Sequence, residues 1–89
     1  MGRKTVQVTE WGVELIDKHG DIFDILWCDT KREALKVFGR ISEKHDQNLY
    51  LLYNDCVQID LVKECFRYYD DGDLIDRTIL DSVTLWTKE

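Results

Sequence analysis

Val13-Glu-Leu-Ile-Asp-Lys-His-Gly-Asp-Ile-Phe-Asp24 has a counterpart later in the chain, Cys65-Phe-Arg-Tyr-Tyr-Asp-Asp-Gly-Asp-Leu-Ile-Asp76. Gly20 aligns with Gly72, and the aspartates around both glycines align as well. In each copy a glycine among aspartates separates two runs that are rich in apolar residues, which is typical of the turn of a β-hairpin. We therefore expect one hairpin near each end of the chain.

The spacing of apolar residues predicts the turn of the first hairpin. One set of large apolar residues on both sides of the turn is odd-numbered: Trp11, Val13, Leu15, Phe23, Ile25 and Trp27. A three-residue loop over residues 18–20 pairs Leu15 with Phe23, Val13 with Ile25 and Trp11 with Trp27, so that all six share one face. Such a loop ends in a left-handed residue, which suits Gly20.

The same loop over residues 70–72 predicts the second hairpin. It pairs Ile59 with Val83 and Val57 with Leu85. The apolar parity changes around Leu61 and Val62, which indicates a β-bulge there.

A helix is predicted between the hairpins. Thr30 and Glu33 form a capping-box pattern, and apolar residues follow at helical spacing: Ala34, Leu35, Val37, Phe38 and Ile41. The helix should cover about residues 31–44. Leu49–Tyr53 fits a short helix, a fifth strand or a packed loop.

These elements predict a single α+β domain over residues 1–89. The expected order is β-β-α-β-β, giving a four-stranded, mostly antiparallel sheet with one main helix on one face. The side chains expected in the core are Trp11, Val13, Leu15, Phe23, Ile25, Trp27, Ala34, Leu35, Phe38, Ile41, Val57, Ile59, Ile79 and Val83.

Charge and cysteine content limit the partners. The chain contains 12 Lys and Arg and 18 Asp and Glu, which gives a net charge of −6. This charge disfavours direct contact with nucleic acid or an anionic membrane. Cys28, Cys56 and Cys65 lack the spacing of a zinc site and fit free thiols in a reducing compartment. With no long apolar run and no start typical of a secretory leader, we expect a cytoplasmic protein.

The second face of the predicted sheet is also apolar, which indicates that something covers it. Either Leu49–Tyr53 folds back over it, or a second copy or a foreign protein binds there, so a homodimer through the sheet face is one expectation. The residues predicted on this face are Ile16, Ile22, Leu26, Val62, Phe66, Tyr68, Leu74, Leu80 and Trp86. Of these, Phe66, Tyr68 and Leu74 are candidate partner-binding residues.

Aspartates cluster at both hairpin turns and allow two interpretations. They either stabilise the turns by bonding to local backbone groups or present carboxylates to a basic partner. The candidate partner-binding residues here are Asp17, Asp21, Asp70, Asp71, Asp73 and Asp76. An EF-hand does not fit, because Arg67 and Tyr69 would occupy ligand positions and Thr78 would replace the closing glutamate.

No pattern of residues in the chain is typical of catalysis. A nucleophile elbow, a Walker loop and a glycine-rich nucleotide fingerprint are all missing from the sequence. His19 and His45 are expected in a turn and at a helix end, exposed to solvent. We therefore expect a protein that is not an enzyme, with no catalytic residue, no cofactor and no metal site.

Gly20-Asp-Ile-Phe-Asp24 followed by Asp29-Thr-Lys-Arg-Glu-Ala34, in a short, acidic, proline-free chain, resembles small accessory proteins of bacteriophages and mobile elements. The resemblance implies a protein that binds and inhibits or redirects a host protein. Some proteins of this class, including anti-CRISPR and anti-restriction proteins, mimic DNA by charge. The leading hypothesis is a non-enzymatic protein-binding or regulatory module, such as a phage-encoded inhibitor of a host protein. The alternative is an acidic DNA mimic that inhibits a nucleic-acid-binding defence complex.

Overall fold

A computed structural model describes residues 4–88 and shows two long hairpins joined by a helical segment. Along the chain the elements are β1 (Thr5–Asp17), β2 (Ile22–Cys28), α1 (Lys31–Ser42), a 3₁₀ turn (His45–Gln47), α2 (Leu49–Tyr53), β3 (Cys56–Tyr69) and β4 (Leu74–Thr87). All strand pairs are antiparallel, and the order in the sheet is β2-β1-β3-β4. The α+β class, the four-stranded antiparallel sheet and the one main helix are confirmed. The strands do not follow chain order in the sheet, because β3 pairs with β1.

Both three-residue loops form as predicted. Asp17 N–H donates to the Asp21 carbonyl at 2.9 Å, and Tyr69 N–H donates to the Asp73 carbonyl at 2.8 Å. Gly20 has φ +83° and Gly72 has φ +98°, the left-handed conformation that glycine adopts without a steric penalty. Local turn chemistry therefore determines both bends.

The predicted register of the first hairpin is wrong. A bulge opposite Leu15 and Ile16 leaves Phe23 without a directly opposed residue, so Val13 pairs with Leu26 and Gly12 with Trp27. Because one extra residue moves every later side chain to the other face, Ile25 and Trp27 leave the core.

The predicted register of the second hairpin is also wrong. β4 contains three bulges, at Ile75, Leu80 and Leu85, where the sequence suggested one near Leu61 and Val62. Ile59 therefore pairs with Trp86, and Val83 pairs with Leu61.

The core lies between the helices and one face of the sheet, which we call the helix face. Thr30 begins α1 by accepting the Glu33 N–H at 3.1 Å, which confirms the predicted cap. Asn48 begins α2 by accepting the N–H of Tyr50 and Leu51. The buried cluster comprises Val13, Leu15, Ala34, Leu51, Cys56, Ile59 and Leu61, with Trp11, Phe23, Phe38 and Ile41 partly buried against it.

Several residues predicted in the core lie outside it. Leu35, Ile79 and Val83 are exposed, and Val57 is partly buried but outside the cluster. Leu35 lies on the solvent side of α1, and the bulges in β4 displace Ile79 and Val83.

One end of the sheet extends beyond the helices. β1 and β3 continue past the end of β2, and with β4 they form a three-stranded arm of residues 5–10, 64–69 and 74–80. The molecule measures 55 × 27 × 19 Å. Within residues 4–88, none of the helices has the length and apolar character needed to cross a membrane.

Candidate protein-binding face

The face of the sheet opposite the helices, the open face, carries an exposed apolar patch on the arm. Directly paired residues share a face, so the register places Val6 beside Tyr68 and Tyr68 beside Leu74. Leu74 is 53% exposed and Ile79 is 59% exposed. Phe66 is only 8% exposed and contacts the rings of Tyr68 and of Trp27, which reaches the arm from β2. The apolar patch consists of Val6, Val8, Trp27, Phe66, Tyr68, Leu74 and Ile79.

Three aromatic rings organise this patch. Trp27 meets Phe66 edge to face, with ring centroids 5.3 Å apart. Phe66 stacks with Tyr68 at 6.3 Å. Both arrangements are favourable for aromatic pairs and hold the rings in place.

Gly12 makes room for the Trp27 ring. A Cβ atom added at Gly12 would lie 2.9 Å from Cζ3 of Trp27 and 3.1 Å from Cγ2 of Ile25. The indole therefore lies directly over the backbone of β1 while staying 38% exposed. Only a residue without a side chain allows this close approach.

A row of carboxyl groups borders the patch on the same face: Glu10, Glu14, Asp60 and Glu64. Asp60 accepts hydrogen bonds from Gln58 Nε2 and Thr84 Oγ1, both at 2.9 Å. Glu64 is only 4% exposed, and within residues 4–88 its Oε2 has no hydrogen-bond partner. A buried carboxyl oxygen in this state is unfavourable for folding.

The pKa of Glu14 is shifted by its burial among these carboxyl groups. Glu14 is 9% exposed. Burial raises the pKa of its carboxyl group above the ordinary value, and the carboxylates of Asp60 and Glu64 raise it further. Arg77 opposes this shift and lowers the pKa of Glu14. The centre of the open face is therefore an acidic region of partly dehydrated carboxyl groups.

The structure separates the two predicted aspartate clusters. Asp17 and Asp21 flank the turn between β1 and β2, whereas Asp70, Asp71 and Asp73 lie at or next to the turn at the tip of the arm. The 13 residues of β1 separate the two turns, a distance of about 40 Å at the usual rise per residue of a strand. The clusters therefore cannot form one small site.

Several of these aspartates have local structural roles. Asp17 Oδ1 accepts the N–H of His19 at 2.9 Å and of Asp21 at 3.0 Å, which closes its own turn. Asp76 lies on the helix face in a bidentate pair with Arg67, where Nε donates to Oδ1 at 2.8 Å. This hydrogen-bonded pair lowers the pKa of Asp76 and raises that of Arg67.

The predicted partner-binding residues Phe66, Tyr68 and Leu74 do lie together on the open face. Leu26 and Trp86 do not, because they pack against the core on the helix face. Leu49–Tyr53 forms α2 on the helix face, so the first of the two alternatives, that this segment covers the second face, is wrong. Within residues 4–88 no helix packs on the open face, although Val62, Glu64 and Phe66 are buried there.

Four residues of the patch were not predicted there: Val6, Val8, Trp27 and Ile79. Val6 and Val8 alternate with Thr5, Gln7 and Thr9 at strand spacing, so that signal was present in the sequence. The position of Trp27 depends on the bulge at Phe23, for which the sequence gives no clear signal.

A concavity lies elsewhere, on the helix side between α2 and the end of β4. It has a volume of about 530 Å³, and His45 and Trp86 line it with their ring centroids 4.9 Å apart. Burial is the main cause that raises the pKa of the Cys56 thiol at its wall, which keeps that group protonated and weakly nucleophilic. In the described part of the chain, no three His, Cys, Asp or Glu side chains are placed to hold a metal ion.

Comparisons of the chain with protein-family models, with curated proteins and with solved structures find no match.

Proposed function

We propose that this chain is a non-enzymatic, cytoplasmic protein-binding module whose arm binds a partner protein through the apolar patch. The observation that carries the proposal is an apolar patch in which exposed Val6, Val8, Trp27, Leu74 and Ile79 surround less exposed aromatic rings, on a sheet face that no helix of the described chain covers. A patch of this kind with a polar border marks an interaction site more often than it marks ordinary surface.

The residue types support this role. Aromatic side chains are enriched at the energetic centres of interfaces, and Trp and Tyr are the commonest hot spots together with Arg. Trp27 and Tyr68 offer such rings already held by neighbouring rings, so little side-chain entropy is lost on binding.

The carboxyl row at the border determines the character of the partner. Glu10, Glu14 and Glu64 favour a partner that brings apolar side chains to the patch and Lys or Arg side chains to its acidic border. In the class that the resemblance suggests, such binding inhibits a host protein by occupying its surface.

A pair of matched variants tests the proposal. The double variant L74D/I79D places two charges in the patch, and V83D places a charge on the same strand but on the helix face. Ile79 and Val83 are similarly exposed, at 59% and 49%, so each tolerates a charge about equally in the free protein.

We expect a protein captured from a lysate of the source organism by the wild-type chain to be retained by V83D and lost by L74D/I79D. The purified partner should then bind L74D/I79D at least 100-fold more weakly than it binds the wild-type chain, since each disrupted hot spot contributes about 2 kcal/mol or more. Equal retention by both variants would refute the apolar patch as the binding surface. Displacement of the partner by duplex DNA, fading as salt increases, would favour the DNA-mimic alternative.

A further inference from the structure

Part of β1 has an open edge. β2 ends at Cys28, opposite Trp11, so residues 5–10 pair with β3 on one side and, within residues 4–88, with no strand on the other. Asp17 N–H donates to Asp21 towards β2, and the Lys4 carbonyl accepts from Asp70 towards β3. Because successive residues of a strand direct their backbone groups to alternate sides, Thr5, Gln7 and Thr9 direct theirs to the open edge.

This edge is regular, whereas the other long edge of the sheet is not. The register between β1 and β3 is constant from Thr5 to Ile16. β4, in contrast, has three bulges along its length and carries charges at Asp76, Arg77 and Asp81. Bulges and charges on an edge strand prevent another strand from pairing with it. Residues 5–9 contain only Thr, Val and Gln, which suit a strand and carry no charge.

The open edge is complementary to itself. If two copies meet antiparallel with Gln7 opposite the partner's Gln7, then Thr5 lies opposite the partner's Thr9 and Val6 opposite the partner's Val8. In the same register Lys4 lies opposite the partner's Glu10, and two-fold symmetry forms this pair twice. Thr5, Gln7 and Thr9, whose backbone N–H and C=O groups face the open edge, then lie opposite the same residues of the partner, as hydrogen-bonded pairs of an antiparallel sheet must.

Glu10 gains most from this arrangement. Within one chain it lies directly opposite Glu64, a like-charge pair that is unfavourable on a sheet. The partner's Lys4 would lie on the other side of Glu10 and offset that repulsion.

We propose that two copies of this chain associate through antiparallel pairing of residues 5–10, which joins their sheets into one continuous sheet of eight strands. The two-fold axis is perpendicular to that sheet, so both open faces lie on the same side. Val6 and Val8 of the two copies are then neighbours, and the two apolar patches form one continuous surface. The dimer does not depend on the proposed function, but it would present two binding faces side by side.

The charge pair allows a test with an internal rescue. K4E alone or E10K alone places like charges opposite each other at both symmetric positions, and each variant should weaken the dimer about tenfold or more. K4E/E10K together restores opposite charges and should restore dimerisation. D81K, a charge reversal on the edge of β4, is the control and should dimerise like the wild-type chain.

Sedimentation equilibrium of the full chain across a concentration series gives these dissociation constants, and circular dichroism checks that each variant is folded. A wild-type chain that stays monomeric up to about millimolar concentration would overturn the proposal, as would a double variant that dimerises no better than the single variants.

Amide hydrogen exchange provides an independent measurement. As concentration rises, the amides of Thr5, Gln7 and Thr9 should gain protection, while that of Val8, which faces β3, should change little. A dimer formed without this gain would instead pair through another surface, and would also overturn the proposal.

Discussion

Replacing Glu64 with methionine should stabilise the protein. The side chain is 4% exposed, and its Oε2 has no hydrogen-bond partner among the described residues. A buried polar group in this state costs about 1–3 kcal/mol, and more if it is charged. Methionine has a similar length and adapts to irregular space, so it removes this cost without leaving a large cavity. We expect the free energy of unfolding to rise by about 1–3 kcal/mol.

Urea titration and thermal unfolding at neutral pH measure this change. For a domain of this size each kcal/mol corresponds to about 4–8 °C in Tm, so E64M should melt roughly 4–24 °C higher. The control is E43M, because Glu43 is exposed and its replacement should change stability by no more than about 0.5 kcal/mol. A loss of more than about 1 kcal/mol in E64M would refute the reasoning, since it would mean that the carboxyl group makes a favourable interaction.

The same variant has a second, spectroscopic readout. Glu64 is one of the carboxylates that raise the pKa of Glu14, so E64M should lower the pKa of Glu14 towards its ordinary value. An NMR titration of the Glu14 side chain measures this directly. An unchanged Glu14 pKa would show that the two groups do not interact across the open face.

The effect on binding separates a structural role from a functional one. If the carboxyl group only maintained the fold, E64M would change stability and binding in the same direction. If the open face binds a basic partner, E64M should be more stable than the wild-type chain and yet bind that partner more weakly. A site that lowers stability in exchange for function has this signature.

The remaining predictions concern packing and pH. G12A should lower stability by about 1–3 kcal/mol, because its Cβ would lie 2.9 Å from the Trp27 ring. G39A, in α1 with nothing within 4 Å of the added Cβ, should raise stability by about 0.5–1 kcal/mol. L15A should cost about 2–5 kcal/mol, since Leu15 is fully buried, and urea titration checks all three variants. The raised pKa of Glu14 stabilises the fold fully below the unfolded-state pKa, and this contribution is lost as the pH rises through the folded-state pKa. E14Q lacks this loss, so its stability relative to the wild-type chain should increase as the pH rises from the unfolded-state pKa of Glu14 through its raised folded-state pKa; a constant difference would contradict the assignment.

Local features of the fold could be predicted from the sequence. The loops before Gly20 and Gly72 form because a left-handed residue is needed at one position and glycine is there. Thr30 caps α1 because its hydroxyl oxygen can accept the Glu33 N–H within the same turn. Such features depend on a few neighbouring residues, so the sequence contains all the information they require.

Register was not predictable in this way, and the candidate site depends on it. In a regular ladder the odd-numbered residues of the first hairpin would share one face, but one bulge at Phe23 moves Trp27 from the core to the patch. Phe66 and Tyr68 lie on the predicted face because β3 pairs with β1 without a bulge over that stretch. Leu74 does so because it precedes the first bulge of β4, at Ile75. A bulge is favoured by packing across the whole sheet, and its position is not marked by a residue type.

The three bulges of β4 explain why its apolar residues are harder to interpret than those of β1. They fall at Ile75, Leu80 and Leu85, five residues apart, and each one shifts the side chains that follow. An edge strand of 14 residues with a regular ladder would offer a template to any other exposed strand. The bulges prevent such pairing. They also interrupt the alternation of side chains between the two faces, from which the sequence-based register was predicted. From Trp11 onward, β1 is paired with β2 and has no free edge. Residues 5–10 are regular and lack this pairing, so we expect another strand to pair with β1 there.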